Sequence, residues 1–409
     1  MPFLFRFKST VLCLSMVLIA CGQEKNKVKT NTQTVAAPIA TEIVVAANRT
    51  DRYLPLLKNK NIAVVANQTS VVFKPNKTTV HLVDTLISSG IKISKVFAPE
   101  HGFRGNVDAG EMVKNGIDDK TGLPLISLYG KNKKPTKEQL VNIDLVLFDI
   151  QDVGVRFYTY IATLQLVMEA CADTNIPVLV LDRPNPNAHY VDGPTMEAEH
   201  TSFLGMTQIP LVYGMTIGEY ANMINEEGWL SSSKKADLTI VKLENYTHDT
   251  PYDLAIRPSP NLPNDTAINL YPSLGLFEGT TVNAGRGTEA QFQRFGASFL
   301  DSTKFFFKYT PAPNFGSKNP KENGKLCYGM DLSNIPKMNR VTIKWIKTAY
   351  DNALNKKAFF MTNSFTKHAG NTTLQQQIID GISAEEIEAS WQPDVRAFKA
   401  IRNKYLIYD

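Results

Sequence analysis

Four polar clusters hold most of the reactive side chains in this 409-residue chain. They are Asn67-Gln68-Thr69, Pro99-Glu100-His101-Gly102-Phe103-Arg104-Gly105, Asp149-Ile150-Gln151-Asp152-Val153-Gly154-Val155-Arg156 and Asp182-Arg183-Pro184-Asn185-Pro186. Carboxylates (Glu100, Asp149, Asp152, Asp182, with Glu111 nearby) stand among arginines (Arg104, Arg156, Arg183) and the aromatics Tyr158 and Tyr160. Paired carboxylates are what glycoside cleavage requires. One protonates the leaving oxygen, and the other stabilises or relays the positive charge developing at the anomeric carbon. Glu100 is the foremost candidate, because Pro99 fixes the chain before it while Gly102 and Gly105 let backbone approach a ligand. Each of the others has a plainer reading: Asp152 as the cap of the turn before Arg156, Asp182 as a partner within its own turn, Glu111 as a solvated surface residue. Other chemistries fit less well. Val65-Ala66-Asn67-Gln68-Thr69 lacks the glycines that bring a dinucleotide pyrophosphate to a helix N-terminus. No G-x-S-x-G elbow occurs. Among the histidines only His101 lies in a cluster, so no metal or other cofactor is expected, and Asp149, Asp152 and His101 would be the only ligands for one.

The elements that must position these residues alternate. Strands are expected over 62–66, 93–97, 125–128, 144–150, 177–181, 209–212 and 238–243, with helices over 78–89, 136–141, 160–173 and 216–227. Such alternation predicts an α/β fold, a Rossmann-like, mostly parallel sheet covered by helices on both faces. In an open parallel sheet the C-terminal strand ends share one edge, where ligands bind, and all four polar clusters follow strands. They are therefore expected to line one cleft. After Tyr252 the texture changes. The proline-rich segment 257–263 marks a boundary near 255–265, and a smaller α+β domain follows, with a strand over 341–343 and helices over 345–355 and 374–381. The division expected is 51–258 for the catalytic domain and 259–409 for an auxiliary one.

The N-terminus reads as an export signal. Arg6 and Lys8 precede an apolar run too short to span a bilayer, which needs roughly 20 residues. That run ends in Leu18-Ile19-Ala20-Cys21, which resembles the lipobox of bacterial lipoproteins, so residues 1–20 are expected to be removed and Cys21 acylated. Residues 21–50, rich in Lys, Thr, Gln, Asn and Ala, read as a flexible tether. The formal net charge is only +5 and basic residues are scattered, which leaves no footprint for nucleic acid. Cys171 and Cys327 could pair in an oxidising compartment, but Cys171 lies in an apolar helical run and reads as a buried thiol.

Taken with Gly193-Pro194, Tyr213-Gly214-Met215-Thr216-Ile217-Gly218-Glu219, Pro258-Ser259-Pro260-Asn261-Leu262-Pro263, Tyr271-Pro272, Glu278-Gly279-Thr280 and Gly285-Arg286-Gly287-Thr288, the four clusters resemble the NamZ-type exo-β-N-acetylmuramidases, glycoside hydrolase family 171. The resemblance runs from 60 to 300 and more weakly to the end. It departs at Asn187-Ala188-His189-Tyr190, where glycines are expected. It implies a cleft between a Rossmann-like domain and a smaller C-terminal one. It also implies release of terminal N-acetylmuramic acid from the non-reducing ends of peptidoglycan fragments. Glu100, Glu111, Asp149 and Asp152 are then the catalytic candidates, with Glu100 as general acid. Asn67, His101, Arg104, Gln151, Arg156, Tyr158, Tyr160, Asp182, Arg183 and Arg286 are the candidates for holding sugar. Selectivity for muramic acid calls for a cation at its lactyl carboxylate. Arginine's planar fork suits that group, with Arg104, Arg156, Arg183 and Arg286 eligible and Arg156 favoured. A non-catalytic muropeptide-binding lipoprotein, or a metal-dependent amidase or esterase, is the alternative.

The anchor is testable directly. Two acyl chains exceed the reversible binding that one provides, so the wild-type protein should partition with membranes. Cys21→Ser should be released or retained as uncleaved precursor; a soluble wild type with an N-terminus elsewhere would exclude the anchor.

Overall fold

A computed structural model describes residues 42–105 and 115–409; Cys21, the leader and Glu111 lie outside the described residues. In chain order, α1 (Thr50–Leu57) precedes β1 (Asn61–Ala66), and a hairpin of β2 (Val71–Phe73) and β3 (Thr79–His81) leads into α2 (Leu82–Ser88). Then come β4 (Lys92–Ala98), β5 (Gly116–Ile117), β6 (Pro124–Ser127), β7 (Leu145–Asp149), α3 (Tyr160–Thr174), β8 (Val178–Leu181), α4 (Ile217–Glu226) and β9 (Leu238–Val241). They build a seven-stranded sheet of order β5-β6-β4-β1-β7-β8-β9, parallel except at the β5 edge. β1, β7 and β8 are almost wholly apolar and buried, as parallel strands covered on both faces must be. The chain runs outward from β1 through β4 to β6, then returns to β7 on the other side of β1. The strand order therefore reverses between β1 and β7, the place where such sheets open a crevice. There the Gln151 amide donates to Thr69 Oγ1 (3.0 Å) and the Ser70 hydroxyl to the Asp149 carbonyl.

Several elements differ from expectation, each for a local reason. Residues 79–81 are strand, not helix, because Thr79 and Val80 pair with Phe73 and Val72. α2 starts only at Leu82, where the His81 ring accepts from the Val83 amide (3.2 Å). Within 209–212 only Val212 forms isolated bridges, to Val155 and Asp192, and no strand results; Pro210 has no N–H for a ladder. Residues 341–343 give their amides to the side chains of Asp192, Ser273 and Glu388 and feed α6 (Lys344–Asp351). The expected helix over 136–141 is a 3-10 turn, Glu138–Leu140. The fold also begins earlier than the tether reading allowed: Val44 pairs with Glu244, and Ala46 and Ala47 are buried. Cys171 and Cys327 are both free and buried.

The smaller C-terminal domain holds α5 (Asp265–Leu274), β10 (Arg294–Ala297), β11 (Phe307–Tyr309) and β12 (Cys327–Asp331), then α6, α7 (Thr362–Ala369), α8 (Thr373–Ile379), α9 (Ala384–Ser390) and α10 (Gln392–Arg402). Its sheet is antiparallel, ordered β10-β12-β11. One apolar core runs from Val65 and Phe148 beneath the large sheet to Phe277, Phe365 and Phe398 in this domain. Among the described residues no helix is long and apolar enough to cross a membrane.

The buried Arg156 guanidinium fastens the two halves. Nη1 donates to the carbonyls of Pro194 (2.6 Å) and Ile209 (2.9 Å), and Nη2 to those of His368 (2.9 Å) and Ala369 (2.8 Å). The last two are carbonyls at the C-terminal end of α7, where helix geometry leaves acceptors unmatched and the dipole favours a cation. Gly370, in the left-handed region at φ +88°, ends the helix; a Cβ there would sit 2.7 Å from Nη2. Arg156→Met removes the guanidinium from four carbonyls, of which that of Ile209 keeps the Met196 amide (3.1 Å), and each acceptor left unmatched costs about 1–3 kcal/mol. Urea unfolding should show a loss of roughly 3 kcal/mol or more; a loss below about 1 kcal/mol would mean that water replaces the guanidinium.

Candidate active site

Glu100 is the second residue past β4, on a turn made by two successive left-handed residues, His101 (φ 68°) and Gly102 (φ 77°). A non-glycine residue held in such a conformation costs on the order of 1–3 kcal/mol and persists only where its surroundings fix it. His101 is buried. The turn leaves the Glu100 carboxylate half-buried, with the Thr159 hydroxyl donating to Oε2 at 2.7 Å. Thr159 occupies the N-cap of α3, yet its hydroxyl makes no cap hydrogen bond. The helix gives up a stabilising contact to hold the carboxylate. Tyr129, beyond β6, also hydrogen-bonds Glu100; burial, followed by that negative charge, holds its phenol well above the ordinary range. These three residues line a cleft of 410 Å³ with Gly130, Lys133, Ser202, Phe203, Leu204 and, from α7, Lys367. Both domains therefore contribute to the cleft.

A second carboxylate stands in the C-terminal domain. Glu278 lies in the 3-10 turn Gly275–Gly279. Its Oε2 is 3.0 Å from Arg286 Nη1, and Lys321 Nζ donates to the backbone carbonyls of Phe277 (2.8 Å) and Glu278 (3.2 Å). Burial pushes Glu278 up, but the charges of Lys321, Arg286 and His368 outweigh it and hold the group below the usual carboxylate range. Tyr271 lies in the field of both carboxylates: burial, then the charges of Glu278 and Glu100, raise its phenol well above the ordinary range. Its ring packs edge-on against Phe157 (5.1 Å) and lies 6.1 Å from Tyr158.

Family profiles described as exo-β-N-acetylmuramidase NamZ, N-terminal and C-terminal, match residues 62–266 and 269–408. The chain is 40% identical over 375 residues to a peptidoglycan β-N-acetylmuramidase NamZ of Bacillus subtilis (strain 168), covering 87% of this chain and 89% of that protein. The chain belongs to the NamZ family. Two crystal structures of proteins from Bacteroides fragilis NCTC 9343, each described as a DUF1343 family protein, share its fold. One is 42% identical with a TM-score of 0.82, the other 26% identical with 0.77; each match covers 90% of this chain and 99% of the other.

Within this NamZ fold, most residues nominated from the sequence hold the cleft in shape rather than line it. Asp149 is in a bidentate pair with Arg183 (Oδ1–Nε 2.5 Å, Oδ2–Nη2 2.8 Å), both fully buried. Asp182 accepts from the amides of Arg183 and Gly218 and the hydroxyls of Thr216 and Tyr408, anchoring the start of α4. Asp152 accepts from the Tyr213 hydroxyl and, at 2.6 Å, from the Gly154 amide; burial pushes its carboxyl up to about 7. Asn67 Oδ1 takes the Thr69 amide and hydroxyl, and Gln151 donates to the Asp152 and Pro184 carbonyls. Tyr158 and Tyr160 are a buried edge-on pair, ring centroids 4.7 Å apart. Arg104 forks onto Asp118 (3.1 and 2.8 Å). The expectation that Arg156 reads a sugar carboxylate fails physically, since the side chain is buried and both terminal nitrogens already serve four carbonyls. Arg104, Arg183 and Arg286 are likewise engaged with carboxylates.

Conversely, Tyr129, Lys133, Thr159, Phe203, Glu278 and Lys367 were not singled out. Lys133 and Tyr129 follow β6, whose loop carries no polar cluster like those after β1, β4, β7 and β8. Glu278 was visible only as part of a family motif. Phe203 and Lys367 come from a loop and a helix without any periodic or motif signal.

Because the Thr159 hydroxyl does not cap its helix, Thr159→Val should leave the melting temperature within about 2 °C of wild type. A hydrogen bond to a charged group is worth about 1.5–3 kcal/mol, so kcat should fall roughly tenfold or more. Unaltered kcat in steady-state assays would exclude Thr159 as the positioning residue.

Proposed function

We propose that this chain is an exo-acting glycosidase that releases terminal β-linked N-acetylmuramic acid from the non-reducing ends of peptidoglycan fragments, with Glu100 as its general acid. The carrying observation is the Glu100 carboxyl, held by Thr159 and Tyr129 on a left-handed turn in the wall of a cleft that both domains line. Membership of the NamZ family, and the activity named for the Bacillus subtilis relative, support the substrate class. In this reading Glu100 delivers a proton to the glycosidic oxygen as the bond to the leaving sugar breaks. Glu278, kept ionised chiefly by Lys321 and Arg286, supplies the negative charge that the electron-poor anomeric carbon requires until water adds there and gives up the proton that restores the acid. Asp149, committed to Arg183, and Asp152, protonated up to about pH 7, are poorer sources of that charge. Acylated at Cys21, the enzyme would work outside the cytoplasmic membrane, where peptidoglycan lies, in turnover and recycling of the wall.

General acid catalysis contributes about 10²–10⁴. Glu100→Gln should therefore lose on the order of 10²-fold or more in kcat on a MurNAc-GlcNAc disaccharide, and less on a nitrophenyl glycoside, whose leaving group needs little protonation. Turnover near wild type on the disaccharide would remove Glu100 from the role. Failure of the wild-type protein to liberate any sugar would favour a binding protein.

A further inference from the structure

Lys133 and Lys367 reach the cleft from different elements and different domains. Lys133 lies in the loop after β6, and its ammonium is 4.6 Å from the centroid of the Phe203 ring. Phe203 in turn lies 6.3 Å from Tyr129, the partner of Glu100. Lys367 projects from the last turn of α7, the turn whose carbonyls Arg156 holds. Among the described residues neither ammonium is in an ion pair, whereas the adjacent Lys134 is held by Glu169 and Asp173. Among the described residues, this part of the cleft is lined by two ammonium groups, Lys133 and Lys367, beside the Glu100 carboxylate. A face of a ring beneath a lysine attracts the ammonium through its quadrupole, which restrains Lys133 before any ligand arrives. A neutral sugar has no use for such a pair, whereas an anionic substituent does.

We propose that Lys133 and Lys367 form the specificity pair of this site, gripping the carboxylate of the 3-O-lactyl group on the terminal sugar. This rests on the proposed muramidase reading. N-acetylmuramic acid differs from N-acetylglucosamine only by that lactyl ether, so a selective site must place its cations there. The arginine forks considered for the task are engaged elsewhere, and among the described residues these two lysines line the cleft beside Glu100. Closing on the ligand from both domains, they also fix which face of the ring meets Glu100. The lysine ammonium is a point charge and not a fork, so the pair together replaces the bidentate grip of a single arginine.

The test compares matched nitrophenyl glycosides: β-MurNAc with a free lactyl acid, and its lactyl methylamide, which keeps shape and loses charge. Wild type should prefer the acid, and the preference should shrink as salt screens it. Lys133→Gln and Lys367→Gln should each lower the acid-to-amide ratio of kcat/KM roughly tenfold or more, the scale for losing a charged hydrogen bond. A ratio that stays at the wild-type value in both variants overturns the pair, whether overall activity is kept or lost; so does a wild type indifferent to the charge. Calorimetric binding of free MurNAc and its lactyl amide separates this inference from the one it rests on. A lysine-dependent preference for the acid in binding, without hydrolysis of any glycoside, sinks the enzyme reading and leaves the pair standing. Hydrolysis with an unchanged ratio does the reverse.

Discussion

A single buried cation sets the geometry on which the cleft depends. Arg156 has no carboxylate partner among its hydrogen bonds; its positive charge is dispersed over four carbonyl oxygens from three stretches of chain. Burial without a counter-ion lowers even a guanidinium, here to about 9. An isolated charge in such a place is tolerable only when every dipole around it points the right way. The segment after β7, the bridges at Asp192 and Val212, and the end of α7 are therefore mutually constrained. The constraint matters because α7 carries Lys367 and packs beside the turn bearing Glu278, while the strand-end loops carry Glu100. A small rotation between the halves would move one cleft wall against the other, and catalysis is sensitive to misplacements of about 1 Å.

A second layer of buried polar contacts holds the strand ends. The Asp149–Arg183 pair joins the ends of β7 and β8, and Arg183 Nη2 also donates to the Val71 carbonyl (3.1 Å), reaching across β1 to the β2 hairpin. Breaking such a pair from one side leaves an uncompensated buried charge, which is why these groups act as a unit. Carboxylates at the C-terminal edge thus divide into two kinds. Those with all their lone pairs directed inward build the edge. Glu100, on a turn that lifts it off the sheet, faces the cleft.

Sheet architecture was legible in the sequence because period and strand-end position are local properties. β1, β4, β7, α3, β8 and α4 needed only β-branched runs, amphipathic spacing and caps such as Thr216. What local reading could not give was direction. Asp182 and Glu100 look alike as acids following a strand, yet one is enclosed by Thr216, Gly218 and Tyr408 and the other is exposed to ligand. Tyr408 lies far along the chain, so no window around Asp182 could reveal it. Arg156 is the same case: its charged, aromatic neighbourhood resembles a binding loop, and its partners at Pro194, Ile209, His368 and Ala369 are distant in sequence. Residues over 341–343 read as strand by composition, but acceptors on Asp192, Ser273 and Glu388 claimed their amides first.

The same contacts at Tyr408 bear on how the molecule comes into being. Ile407 and Tyr408 give their amides to Glu219, Tyr408 also reaches Asp182 and the Leu243 amide, and the Asp409 carbonyl receives the His248 amide. The first domain therefore lacks part of its own interior until residues beyond α10 have emerged. Synthesis runs from the N-terminus, so early segments must wait, with buried acids still open to water, for the final turn of chain to close over them. A product that stops short of Tyr408 leaves Asp182 and Glu219 without these partners at the root of α4.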